Sequence, residues 1–149
     1  ISSSFIKKLE NFSLKSFNGG LQNEKKTLSM QVKDKIDFTP GTNKVIKGFI
    51  VNNSNLEFSN LIIKSESDNK TFNNKYFYIG QIKNNKESDF EILFKVPSWL
   101  QTSEDIVKLS LLQLDMSNAL KPTLSKVSRI SLKTKVTKKR KEEAFTTFR

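Results

Sequence analysis

The sequence contains no cysteine and no histidine. That double absence removes thiolate nucleophiles, imidazole bases, disulfide staples and the usual zinc sites together. An enzyme acting by itself is therefore the last reading of this chain, and neither a cofactor nor a metal is expected. Long apolar runs are missing too. The stretch from Ile106 to Leu114 includes Lys108, Ser110 and Gln113 and falls far short of the roughly 20 residues that cross a bilayer, so a soluble chain is expected. No charged start, apolar core and cleavage site surrounds Ile1, and a first residue other than Met points to a piece of a longer protein. With 149 residues, the chain can hide roughly two-thirds of its unfolded surface in one core.

What the chain does have is hydrophobic periodicity. Phe5, Ile6, Leu9 and Phe12 recur at helical spacing behind the N-cap candidates Ser2, Ser3 and Ser4, which predicts a short N-terminal helix. Asn18-Gly19-Gly20 ends it. From Thr27 the period drops to two: Leu28, Met30 and Val32 alternate with Ser29, Gln31 and Lys33, the pattern of a half-buried strand. After a turn at Thr39-Pro40-Gly41-Thr42, strands are predicted at 45–51, 61–63 and 75–79. The clearest alternation sets Phe90, Ile92, Phe94 and Val96 against Asp89, Glu91 and Lys95, and Pro97 stops it. Residues 105–115 read as a strand with Val107, Leu109 and Leu111 on one face, although their leucine content leaves a helix open. Ile130, Leu132, Thr134 and Val136 form the last alternation.

Six or seven short strands with polar turns, and no βαβ alternation, predict an all-β fold: an immunoglobulin-like antiparallel β-sandwich with a short N-terminal helix. Residues 1–20 would be helix and linker, 21–137 the sandwich, and 138–149 a basic C-terminal linker or tail. The expected core is Phe49, Val51, Leu61, Ile63, Phe90, Ile92, Phe94, Val107, Leu109 and Leu111. Trp99, the only tryptophan, is expected to lie as a lid over the core at a strand end.

Asparagine is abundant, as in Asn52-Asn53-Ser54-Asn55, Asn73-Asn74 and Asn84-Asn85, and reads as loops that tolerate polar residues. Asn11, Asn52 and Asn69 each open a glycosylation-type pattern, which so many asparagines supply by chance. The formal net charge is +11, but it is unevenly spread. Residues 126–141 hold eight positive side chains and no acid, leaving 17 positives and 13 acids in residues 1–125. Lys133, Lys135, Lys138, Lys139, Arg140 and Lys141 are thus the candidate anionic contact, suited to a phosphate backbone or an anionic membrane surface. The competing account is a solvated edge strand whose lysines oppose aggregation. No aromatic residue is interleaved in 126–141 for base stacking. The carboxylate pairs Asp34/Asp37, Glu87/Asp89 and Glu104/Asp105 sit at turns or strand borders with lysines nearby and read as structural. Ser2 to Ser4 with Lys7 and Lys8 lack the elbow and oxyanion donors of a hydrolase.

Between Asn60 and Asp105, Lys64-Ser65-Glu66-Ser67-Asp68-Asn69 is followed by Phe77-Tyr78-Ile79-Gly80-Gln81-Ile82, then a polar turn and the strand from Asp89 to Val96 ending at Pro97. This order resembles the β-sandwich module downstream of the peptidase domain in a subset of bacterial tail-specific (carboxy-terminal processing) proteases. Val51-Asn52-Asn53-Ser54 is similar to the turn after an apolar strand in that module. The resemblance implies an exported protein of the periplasm or cell envelope whose nucleophile and lysine partner lie upstream, so no catalytic residue carries over. Fibronectin-like and adaptor-appendage-like sandwiches share such strand endings. The leading expectation is a non-catalytic accessory domain with a protein or peptide partner. A free-standing peptide-binding adhesion or trafficking module comes second, and a nucleic-acid or anionic-membrane binder working through Lys133 to Lys141 comes third.

Overall fold

A computed structural model describes residues 28–32, 35–118 and 120–138. Eight strands follow in order: β1 (Leu28–Val32), β2 (Ile36–Phe38), β3 (Asn43–Asn52), β4 (Phe58–Ser67), β5 (Lys75–Ile82), β6 (Glu87–Lys95), β7 (Ser103–Asp115) and β8 (Thr123–Val136). They build a three-stranded sheet, β1-β3-β6, and a five-stranded sheet, β2-β8-β7-β4-β5. The described residues are all-β, with two sheets around one principal core. The predicted N-terminal helix, the end of the basic tail and the 20/21 boundary lie outside the described residues.

Each sheet turns its alternate apolar residues inward, as a strand's period of two requires. Ile46, Ile50, Phe90, Ile92 and Phe94 come from the smaller sheet, and Leu61, Ile63, Val107, Leu109 and Leu111 from the larger. Four phenylalanines join the layers. Phe38 and Phe72 stack with centroids 4.1 Å apart, and Phe94 meets both edge-on at 5.8 and 5.7 Å. Phe77 meets Phe94 edge-on at 5.3 Å. Gly48, paired with Phe90 across β3 and β6, leaves room for that ring: a Cβ there would strike Phe90 and the carbonyl of Gln31.

Three expectations need correction. Phe49 and Val51 are not core residues; both are only half-buried, while Ile46 and Ile50 are fully buried. Residues 45–51 carry apolar side chains on both faces, with Lys47 the one charge among them, so the pattern leaves the register open by one residue, and a slip of one turns every side chain over. Secondly, the sandwich is not wholly antiparallel, because β2 pairs in parallel with β8, Ile36 opposite Thr134. Thirdly, Trp99 is no lid; it is 71% exposed. The amide of Leu100 bonds the carbonyl of Pro97 at 3.2 Å, and that turn drives Leu100 rather than Trp99 into the core.

The asparagines do more than tolerate solvent. Asn52 is buried: its Nδ2 donates to the carbonyls of Leu56 (2.7 Å) and Lys83 (3.1 Å), and its Oδ1 accepts from the amide and hydroxyl of Ser54. Asn60, Asn74 and Asn85 hold positive φ angles of 55–59°, which asparagine adopts more readily than other side-chain-bearing residues. With its amide nitrogen so engaged, Asn52 is not open to glycosylation in the folded state.

Candidate functional site

The two flanks of the sandwich are built differently. β5 ends the five-stranded sheet and β6 ends the three-stranded one, so both present a free edge on the same flank. A tight turn joins them at one end, where the amide of Lys86 donates to the carbonyl of Lys83 at 3.3 Å. Toward the other end they diverge. There the start of β5, the preceding turn and the end of β6 enclose a groove of about 520 Å³.

Phe94 and Phe77 form the floor, held by the aromatic cluster beneath. Leu93 and Trp99 form an apolar wall, 44% and 71% exposed. Lys70, Lys75 and Lys95 stand exposed around the rim, and no carboxylate lines it. An apolar slot with basic lips can bind an extended chain carrying acidic residues.

The turn on one side is tied down by its own polar side chains. Ser65 lies under it, its Oγ donating to the carbonyl of Phe72 (2.6 Å) and accepting from the amide of Lys75 (3.1 Å). The amide of Asn74 reaches the carbonyl of Ser65 at 2.8 Å, and Asn69 accepts from the amide of Thr71. Asn69 in turn donates to Asp105 at 3.1 Å, and Ser103 donates to the same carboxylate at 2.6 Å. Asp105 is therefore a structural acceptor. On the other side, the amide of Gly41 bonds the carbonyl of Val96 at 2.8 Å and the amide of Val96 bonds the carbonyl of Thr42 at 3.0 Å, fixing where Pro97 and Trp99 emerge. Both lips of the groove are pre-set, which lowers the ordering cost of binding.

The basic run predicted as an anionic contact lies elsewhere. Lys133 and Lys135 are exposed on β8, and Lys138 is exposed just beyond it; Lys139, Arg140 and Lys141 lie outside the described residues. Among the described residues β8 carries β2 only along residues 134–136, and the rest of its length has no ladder partner on that side. Lys133 and Lys135 share a shallow hollow with Asp68, Glu104 and Asp105. Lys135 lies 3.8 Å from Glu104, both well exposed, a pair worth little in water. The groove at Trp99, by contrast, was not singled out from the sequence, since its walls come from segments some 20 residues apart on different sheets.

Among the described residues, no helix is long and apolar enough to cross a membrane. No family model matches the sequence, and neither does any curated protein. Solved structures resemble this chain at low identity. A family 123 glycoside hydrolase from Clostridium perfringens aligns over 76% of this chain and 28% of its own, with 11% identity and a TM-score of 0.48. Spo0M, a sporulation control protein from Bacillus subtilis, aligns over 82% of this chain and 56% of its own, with 12% identity and a TM-score of 0.46. A protein described as late embryogenesis abundant aligns over 89% and 83%, with 15% identity and a TM-score of 0.45. The chain thus spans about a quarter of the first and about half of the second, and none of the three is a tail-specific protease.

Proposed function

We propose that this chain is a non-catalytic, immunoglobulin-like interaction module that takes an extended, acidic peptide segment into the groove between β5 and β6. The observation that carries the reading is Trp99, 71% exposed beside a rigid aromatic floor and three lysines. Large aromatic side chains held in water on a fixed turn are the usual anchors of protein contacts. The free edges of β5 and β6 supply backbone donors and acceptors for an added strand, and the lysines select acidic residues along it. The module serves as the accessory domain of a larger exported protein of the cell envelope. Its assignment to a processing protease rests on the resemblance of residues 60–105 alone.

Because Trp99 is the only tryptophan, its fluorescence reports on this site and no other. A short synthetic peptide alternating Glu and Val, titrated into the protein, shifts the Trp99 emission to the blue and saturates. The same peptide with Lys in place of Glu does not. An emission spectrum unchanged by both peptides overturns the reading.

A further inference from the structure

The backbone of β6 alternates in a direction that can be read from its two ends. The amide of Val96 donates to the carbonyl of Thr42 at 3.0 Å, and its carbonyl accepts from the amide of Gly41 at 2.8 Å. At the other end the carbonyl of Lys86 accepts from the amide of Asn52 at 2.9 Å. Even-numbered residues therefore turn their backbone groups toward β3, and the register between the strands runs without a shift from Glu87 to Lys95. Successive residues of an antiparallel ladder alternate, so Glu91, Leu93 and Lys95 aim amide and carbonyl the other way. On that side no strand among the described residues pairs with β6. Three donors and three acceptors thus stand in a row that leads into the groove, which Leu93 and Lys95 line.

β5 is the poorer template. Its register with β4 is regular only from Lys75 to Tyr78 and then shifts twice around Leu61, which lies opposite Gly80 with its φ of 97°. β6 is also the strand that carries the anchor, since Pro97 and Trp99 follow it directly. The side chains along its open edge are ordered by charge. Lys95 is exposed at the groove end; Leu93 comes next, 44% exposed and opposite Val45 at 41%; Glu91 is exposed beyond them. Phe94, between Lys95 and Leu93, faces inward as the groove floor.

Resting on the peptide-binding reading above, we propose that the segment adds to β6 as an antiparallel strand, in one register and one direction. An antiparallel partner exchanges straight hydrogen bonds with Leu93 and sets each of its side chains on the face of the β6 residue opposite it. Opposite Lys95 the segment carries an acid, and opposite Phe94 a large apolar side chain that enters the groove. Opposite Leu93 it carries an apolar side chain that extends the row of Val45 and Leu93, and opposite Glu91 a base. Because the partner runs against β6, the acid precedes the base in its sequence, with one unspecified position, opposite Ile92, before the base. The far edge of the added strand lies over β5 and covers it without a regular ladder.

The test uses the full chain and the capped peptide Glu-Phe-Val-Ser-Lys, with binding read from the Trp99 emission. This peptide binds about 5-fold more tightly, or better, than the reversed sequence Lys-Ser-Val-Phe-Glu, which has the same composition. Methylating the backbone nitrogen of its Val, which faces Leu93, weakens binding about 10-fold, whereas methylating that of its Phe, which points away from β6, costs under about 3-fold. In the double variant Glu91→Lys, Lys95→Glu, both at exposed positions, the preference between the two sequences inverts. No response to either peptide overturns the groove reading and this proposal with it. Equal binding of the two sequences in the native protein, a preference that stays the same in the double variant, or a larger loss from the Phe methyl than from the Val methyl overturns the direction and register while the groove reading stands.

Discussion

One flank of the sandwich is closed and the other is open, and the chain's route explains both. On the closed flank the polypeptide leaves the smaller sheet after β1, lends β2 to the larger sheet beside β8, and returns as β3. The amide of Thr137 seals this side by donating to the carbonyl of Phe38 at 2.9 Å. On the open flank the described chain crosses through the turn at residues 83–86, and at their far ends β5 and β6 meet through the rings of Phe77 and Phe94 at 5.3 Å, at the floor of the groove. A free sheet edge is a hazard for aggregation. Here it lies beside lysines, a bulge in the β4–β5 pairing and a positive-φ Gly80, which guard the edge without filling the groove.

The sharpest way to break the open flank is from below. Phe94→Ala empties the meeting point of Phe38, Phe72 and Phe77 and should cost roughly 3–5 kcal/mol, read as a large fall in denaturation midpoint; an unchanged midpoint would mean the floor is not built as described. Asn52→Ala acts at the end of the sandwich where the flank is shut. Losing its bonds to Leu56, Lys83 and Ser54 should cost about 1–3 kcal/mol, with amide exchange rising first in residues 53–57 and 83–86.

Lys64 gives a smaller, pH-dependent effect. Burial holds its ammonium below the usual 10.5, Glu66 opposes that shift and Lys126 adds to it. The unfolded chain therefore binds this proton more tightly, and stability rises as pH climbs from the lowered Lys64 value toward 10.5. Melting curves of Lys64→Met should lack that rise; parallel pH profiles for both proteins would count against the assignment. Trp99→Ala should be the mildest of all, within about 0.5 kcal/mol in stability, yet it should weaken binding of the Glu–Val peptide about 10-fold or more. Equal losses of both would make Trp99 a packing residue after all.

How much of this could be read in advance follows from particular residues. β6 was legible because Phe90, Ile92, Phe94 and Val96 alternate with charges, and the five residues of the expected core that lie on β4 and β7, Leu61 and Val107 among them, are buried as anticipated. β3 was legible as a strand but not in register, since Lys47 alone marks the outward face that it shares with the apolar Val45, Phe49 and Val51. β2 is only three residues long, so the alternation of Ile36, Asp37 and Phe38 is too brief to stand out. Phe72 lies in a turn that reads as polar, and only the stacking of its ring on Phe38 reveals it as core. The groove was illegible for a different reason: no local pattern records that the ends of β5 and β6 splay apart, and the turn that expels Trp99 depends on Leu100 finding space in the core.

The most direct test of the open flank is amide hydrogen exchange along β5 and β6, with and without the Glu–Val peptide. The account predicts that the outward-facing amides of both strands exchange readily in the free protein and slow when the peptide is added, while β1 and β8 are unaffected. Edge amides already protected in the free protein, or protection appearing on the β1–β8 flank instead, would contradict it.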